Sequence, residues 1–312
     1  MQTLFNIINI PFGWALEFLS GLFGGNFAAA VFFFTLLINV ILIPLSIKSQ
    51  KSSVQQTRIK PKLDELKKKY GDDKQKYSEA MQKLYQEENV SMSGGCLPMV
   101  LRLVLMMSIY YLIMSPLTYL LHIDSATVTA AAEALGKNAN ARAELQIIEA
   151  VRNGTIDFPQ IASKLSAIDF NFFGIDLTQT PKFSFDIFHD AQLIWVMPII
   201  AFLAQMFTSA LSLVMQKKLN PDAPNMAGMM LTMPLLSLFI GFTLPGGVAF
   251  YWACSSLIGG LIQVGVQQFY GPQKMLSRER LKELNKECDF EENQLKKIKT
   301  NQTLLNGEAA EK

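Results

Sequence analysis

Leu97-Pro98-Met99-Val100-Leu101-Arg102-Leu103-Val104-Leu105-Met106-Met107 opens a run that stays apolar almost to Leu121. One full charge, Arg102, is set into what otherwise reads as a membrane span. An arginine inside a span costs about 3 kcal/mol on insertion scales. It therefore needs water, a polar partner, or a position shallow enough to reach the surface.

The rest of the chain agrees with the membrane reading. Half of the 312 residues are hydrophobic and only 17% are charged, where a soluble domain usually carries about 25%. Mean hydropathy is positive. Cys96, Cys254 and Cys288 lie far apart, match no metal-ligand spacing and read as free thiols.

Upstream of the opening run, 28–47 is a first span of about 30 Å as a helix, with Thr35 and Asn39 as its polar interior positions. Residues 1–27 hold no Lys or Arg and a single acid, Glu17, and lack the charged start of a cleavable signal. Pro11-Phe12-Gly13-Trp14 with Leu16, Phe18, Leu19, Leu22 and Phe23 predicts a short interfacial amphipathic segment ended by Gly24-Gly25-Asn26. Between the two spans, 48–95 is soluble in character. Apolar residues at Ile59, Leu63, Leu66 and Tyr70, and again at Tyr77, Met81 and Leu84, follow helical spacing on either side of Gly71-Asp72-Asp73. An amphipathic helical hairpin fits this pattern. It carries eleven bases against seven acids.

Downstream, the second span runs 97–123. The segment 124–190 reverses the charge balance, with five bases and nine acids. Ser125 and Asn140 are candidate caps for two helices ending at Gly136 and Gly154, and Pro159 opens a third. Three further spans follow at 191–215, 226–244 and 247–269, with Lys217-Lys218 between the first pair and Pro245-Gly246-Gly247 between the last. The tail, 270–312, is charged and reads as partly helical or disordered. Bases concentrate in the hairpin, the Lys217-Lys218 loop and the tail. By the positive-inside rule this puts the N-terminus outside and the C-terminus in the cytoplasm, which an odd count of five spans also requires. The expected fold is an all-α membrane protein: five transmembrane helices, a cytoplasmic helical hairpin and a helical extracytoplasmic insert.

No P-loop, His-x-x-x-His pair, Gly-x-Ser-x-Gly elbow or Gly-x-Gly-x-x-Gly turn is present, and the two histidines, His122 and His189, sit at the expected outer boundary. The pattern assembles no enzyme site and implies no cofactor or metal.

Several stretches carry a resemblance. They are Thr35-Leu36-Leu37-Ile38-Asn39-Val40-Ile41-Leu42-Ile43-Pro44-Leu45, Gly94-Gly95-Cys96-Leu97-Pro98, Met233-Pro234, and Phe242-Thr243-Leu244-Pro245-Gly246-Gly247-Val248-Ala249-Phe250-Tyr251-Trp252. In this order and spacing they resemble the YidC family of membrane protein insertases, related to the organellar Oxa and Alb proteins. The likeness covers about 28–123 and 170–275. It implies a multi-pass protein of the bacterial plasma membrane. A hydrophilic groove, open to the cytoplasm and to lipid, would guide polar segments of nascent membrane proteins and release their apolar spans without nucleotide. Membrane lipids are implied contacts, with the ribosome and the Sec translocon as candidate partners, and no recognition of nucleic-acid sequence.

One departure stands out. The family's usual first-span arginine is here Asn39, and the second-span position commonly held by glutamine is Arg102. Either the groove's cation has crossed to Arg102 with Asn39 as its neighbour, or Arg102, about 8 Å along its helix, snorkels to the cytoplasmic surface. Thr35, Ser108, Gln205 and Gln263 are further groove candidates, with Thr208, Ser209, Ser255 and Ser256 as polar span residues of the same kind. Each suits helix–helix contact equally well. Tyr251 and Trp252 are candidates for interfacial anchoring or client contact. Methionines 99, 106, 107, 114, 206, 229, 230 and 233 offer an adaptable surface. The hairpin's positive face suits incoming chains, the ribosome, a targeting receptor or anionic lipid. The alternative function is a small-molecule or ion transporter, against which the odd span count and the lack of an internal repeat both weigh.

Overall fold

The computed structural model describes residues 2–88, 90, 97–182, 192–219 and 227–310. Gly94-Gly95-Cys96, His189 and the loop after Leu219 lie outside these residues. The chain divides into two compact units, Met1–Ser46 with Ser93–Gly265, and Ile47–Met92 with Val266–Lys312.

In the first unit α1 (Gln2–Leu22) is longer than the segment expected from Pro11 onward, with Pro11 inside it. One face buries Asn9, Leu16 and Ser20, while Ile7, Ile10, Trp14, Phe18 and Leu22 are exposed at spacings of three and four residues. Gly13 lies on the buried face because a Cβ there would sit 2.0 Å from the Tyr119 carbonyl oxygen. Gly24 and Gly25, at φ +65° and +86°, end the helix. Asn26 then caps α2 (Phe27–Ile41), its Oδ1 accepting from the Ala29 amide at 2.8 Å.

The expected 28–47 span is not one unbroken helix. α2 gives way at Leu42 to a second helix, α3 (Ile43–Tyr70). Pro44 has no N–H to give and its ring crowds the carbonyl four residues back, so the helix breaks there. The second span likewise stops short. α5 (Leu97–Met114) ends at Ser115, which Pro116 forces out of helical geometry (φ −127°, ψ 60°), and a single turn, α6 (Pro116–Tyr119), follows.

The insert folds as α7 (Ser125–Ala134), α8 (Ala141–Arg152) and α9 (Pro159–Leu165). Asp124, not Ser125, caps α7, accepting from Thr127 N at 2.9 Å, and Asn140 caps α8 in the same way. A small hairpin, β1 (Asn171–Phe172) with β2 (Ile175–Asp176), pairs Phe172 with Ile175 around Phe173 and Gly174, both at positive φ. A 3₁₀ turn, Leu193–Trp195, leads into α10 (Val196–Leu219), then α11 (Ala227–Gly241) and α12 (Gly246–Tyr270).

By length and composition Leu193–Met215 and Gly246–Tyr270 are long and apolar enough to cross a membrane, and the broken α2–α3 pair makes a third candidate. Leu103–Met114 and Met230–Gly241 are shorter apolar helices.

The insert is not a separate domain. Val128, Ala131, Ile147, Ile148, Ile161, Leu165, Phe170 and Leu177 belong to one buried cluster with Phe27, Val31, Phe34, Ile109, Leu112, Val248 and Tyr251 of the long helices. Backbone bonds reinforce that packing. Phe27 N donates to Asp169 O (2.9 Å), and Asp169 N to Gly25 O (2.8 Å). Gly246 N donates to Gln179 O and Gly247 N to Leu177 O, both at 2.8 Å. Amides that a helix start leaves without partners are thereby satisfied at α2 and α12. Buried Glu144 on α8 adds a side-chain tie, accepting from the Thr118 hydroxyl at 2.7 Å and its amide at 3.1 Å. Burial pushes its carboxyl above the usual range, and the hydrogen bonds from Thr118 oppose that.

In the second unit, α3 is followed by α4 (Lys74–Glu87), whose cap is Asp73. Lys62 on α3 pairs with Glu88 at the end of α4. The tail is one continuous helix, α13 (Pro272–Ala310), with Leu281, Leu284, Phe290, Leu295 and Ile298 exposed.

Candidate client-binding cavity

Within the first unit side chains of α5, α10, α11 and α12 line an open groove of about 410 Å³. Helical spacing determines which side chains reach it. α11 presents Met233, Leu236, Ser237 and Ile240, at i, i+3, i+4 and i+7, and α12 presents Tyr251, Trp252, Ser255 and Ser256. Leu103 and Met106 come from α5 and Gln205 from α10.

The two sides differ in chemistry. α5 and α11 supply an apolar wall, since the one polar side chain among them, Ser237, donates its hydroxyl to Pro234 O at 2.7 Å. α12 and α10 supply hydroxyls and an amide. A groove of this kind can hold an apolar helix against one wall while offering hydrogen bonds to polar groups from the other.

Close backbone approach brings these helices together. A Cβ at Gly260 would lie 2.4 Å from Thr208 Cγ2, so α10 and α12 meet there with no intervening side chain. Gly241 does the same for α11, its Cβ position falling 2.9 Å from Pro198 Cβ.

Of the sequence candidates, Gln205, Tyr251 and Trp252 meet in this cavity, joined by Ser255, Ser256, Met106 and Met233. Thr35 and Asn39 do not line it. Thr35 donates its hydroxyl to Val31 O at 2.6 Å, and the Asn39 amide nitrogen donates to Thr35 O at 2.8 Å, so both turn donors onto α2 itself. Ser108 is fully buried, with no hydrogen-bond partner for its hydroxyl among the described residues. Gln263 is exposed, two turns beyond Ser256 on α12. Arg102 lies on α5 beside Leu103, and its side chain lies outside the described residues. Sequence reasoning missed Leu103, Leu236, Ser237 and Ile240: the three aliphatic residues carry no signal that separates them from other span residues, and Ser237 hides its hydroxyl on Pro234 O of its own helix.

A larger cavity, about 660 Å³, lies where α8, the 174–182 segment and Thr243 meet. Arg142, Glu149, Asp176 and Lys182 line it, and an apolar client segment would leave those charges unhydrated. No Asp, Glu, Lys or Arg is among the described residues that line the smaller cavity. Among the described residues no group of three or more His, Cys, Asp or Glu side chains is placed to hold a metal ion. Cys254 and Cys288 are free thiols.

The family model described as 60Kd inner membrane protein matches residues 18–274. The chain belongs to this family. It is the family of the YidC insertases and not one of enzymes, and it makes the chain a multi-pass membrane protein. The chain is similar to membrane protein insertase YidC 2 of Listeria innocua serovar 6a, at 26% identity over 261 residues, covering 82% of this chain and 68% of the relative. It is 24% identical, with the same coverage, to membrane protein insertase YidC 1 of Listeria monocytogenes serotype 4b. A shorter stretch of 109 residues is 34% identical to membrane protein insertase YidC of Paraburkholderia phymatum, covering 35% of this chain and 20% of the relative.

Proposed function

We propose that the protein is a membrane protein insertase and chaperone. It takes nascent membrane proteins as clients, guides their polar segments along the hydroxyl-bearing wall of α12, and releases their apolar spans into lipid past α5 and α11. The observation that carries this reading is the two-sided cavity among four helices, apolar on α5 and α11 and polar at Gln205, Ser255 and Ser256. No nucleotide is required, because burial of the client's own span in lipid supplies the driving force, about 0.8 kcal/mol per methylene.

In this reading the five apolar segments all cross the membrane, with the N-terminus and insert outside and the hairpin and α13 in the cytoplasm. The hydrogen bonds from the insert to α2 and α12 keep the outer end closed. Arg102 supplies the groove's positive charge, with Asn39 as its neighbour across the helices. The ribosome and the Sec translocon are partners on the hairpin side and within the bilayer, respectively.

Photocrosslinking from position 256 to a ribosome-stalled single-spanning client tests the reading. Adducts at 256 and 236 that disappear when crosslinking starts from exposed position 149 on the insert are expected. Equal labelling from all three positions would contradict it.

A further inference from the structure

The turn of the β1–β2 hairpin carries a residue that suits neither its backbone nor water. Phe172 pairs with Ile175, so Phe173 and Gly174 alone make the turn, and both sit at positive φ, +49° and +83°. A two-residue turn of this kind favours Asn-Gly or Asp-Gly, because a bulky side chain crowds the backbone at positive φ. Phe173 is also 88% exposed, the highest value among the described large hydrophobic residues. Its ring lies against Phe172, with centroids 4.7 Å apart, and is not part of the buried cluster. A strained backbone and a bare phenyl ring are both unfavourable in water, and Asn at this position would relieve both.

The neighbours of the hairpin indicate what the ring meets. Phe172 packs on Phe250 at the beginning of α12, ring centroids 4.8 Å apart, and Phe170 packs on Phe27 at the start of α2, at 4.9 Å. A Cβ at Gly174 would lie 4.0 Å from Leu193 Cδ2. Leu193 is the first residue of an apolar stretch long enough to cross a membrane. It is 59% exposed, and Val196, Ile200, Leu203 and Phe207 follow on one exposed face at spacings of four, three and four residues. The hairpin thus sits where three long helices begin, at the end of an exposed apolar stripe. In a multi-pass membrane protein such a stripe faces lipid, and its end lies at the boundary of acyl chains and headgroups, where aromatic rings are favoured.

We propose that Phe173 is a membrane anchor, its ring buried among the upper acyl methylenes of the leaflet at that end of the molecule. Burial in lipid offsets the strain of the turn. Gly247 N and Gly246 N donate to Leu177 O and Gln179 O, just beyond the hairpin, so the anchor also fixes the depth of the insert beside α12. The proposal rests on the membrane placement of α10 and α12 and not on the insertase reading.

A spin label at position 173 tests it. Phe173→Cys is made in C96S/C254A/C288S, which removes the chain's three cysteines, and the labelled protein is reconstituted in phosphatidylcholine vesicles. Asn138→Cys, exposed between α7 and α8, is the reference for water. Relaxation of the label by oxygen, which concentrates in lipid, is compared with relaxation by a water-soluble nickel chelate. The label at 173 should respond several-fold more to oxygen than to nickel, with the ratio reversed at 138. A label at 173 that responds to nickel as strongly as to oxygen would overturn the proposal, because the tip then stands in water. Shielding from both reagents would overturn it too, because protein, a second copy or another chain, then covers the tip. Phe173→Trp in the otherwise unaltered chain gives a second reading with all cysteines kept. Its added emission should be quenched more by phosphatidylcholine brominated near the head of its chains than by aqueous iodide, and the reverse order would overturn the proposal. Failure of the insertase reading appears separately, as lost client insertion with the label still in lipid.

Discussion

The amide of Gly247 donates to the Leu177 carbonyl at 2.8 Å, and Gly246 beside it donates to Gln179. These two bonds tie the start of α12 to the insert and give the Pro245-Gly246-Gly247 turn its physical reason. A Cβ at Gly247 would lie 3.1 Å from Ile113 Cγ2, 3.3 Å from Leu177 O and 3.6 Å from the Phe27 ring. Three elements, α5, the insert and α2, therefore converge on a position where a side chain fits only if its neighbours give way by a few tenths of an ångström.

Gly247→Val is expected to destabilise the fold by about 1–3 kcal/mol through overpacking, read as a lowered unfolding midpoint in detergent. Gly246→Ala should be milder. Its close neighbour is the end of the flexible Ile194 side chain, at 2.6 Å, which can rotate away. Equal losses at the two positions would contradict this account of the turn.

Gly13→Ala should lift α1 from its seat. The collision is with a backbone oxygen, Tyr119 O, which no rotamer change relieves. The hydrogen bond from Tyr119 Oη to Asn6 Oδ1, now 2.7 Å, would be lost with it. Faster hydrogen exchange across residues 2–22 is the expected readout, at a stability cost of about 1–3 kcal/mol.

Glu144 gives the fold a pH dependence of defined sign. Its folded pKa is raised, chiefly by burial, so the folded state binds its proton more tightly than the unfolded chain does. That contribution to stability is present at low pH and is lost as pH rises from the unfolded value through the folded one, with a slope of at most about 1.4 kcal/mol per pH unit. Glu144→Gln, which can still accept from the Thr118 amide, should flatten this part of the curve. Thr118→Val, which removes one donor to the carboxylate, should cost about 1 kcal/mol and push the titration higher still. Unfolding midpoints measured across pH 4–8 check both.

Arg102 and Asn39 test where the groove keeps its charge. Arg102→Ala should slow insertion of clients that carry acidic residues in the translocated segment, and spare clients without them. The double exchange Asn39→Arg with Arg102→Gln should restore the acidic clients. If Arg102→Ala has no effect, or the exchange abolishes insertion, Arg102 is a surface anchor instead.

Much of this organisation can be read from the chain, and the parts that cannot have particular causes. Asn140, Pro159 and Gly24-Gly25 mark element boundaries because each acts locally, through a cap, a missing N–H or a positive φ. The β1–β2 hairpin escapes such reading because two-residue strands have no periodicity. Ser125 reads as the cap of α7 from the sequence, whereas it is the Asp124 oxygen that reaches Thr127 N. The breaks at Leu42 and Ser115 follow from Pro44 and Pro116, yet a proline in a span predicts a kink or a stop without deciding between them. In the cavity, Gln205, Tyr251 and Trp252 are visible as polar or aromatic residues among aliphatic ones. Leu103, Leu236 and Ile240 are not, because only tertiary packing separates them from other span leucines and isoleucines. Gln263 carries the same sequence signal as Gln205 but lies beyond the cavity on α12.

Reconstitution tests the central claim most directly. The purified protein is placed in anionic phospholipid vesicles, a small single-spanning client is added without nucleotide, and external protease is then applied. The account predicts a protected client fragment that appears only in vesicles containing the protein, and that falls when Ser256→Leu fills the cavity. A client degraded to the same extent with and without the protein would contradict it.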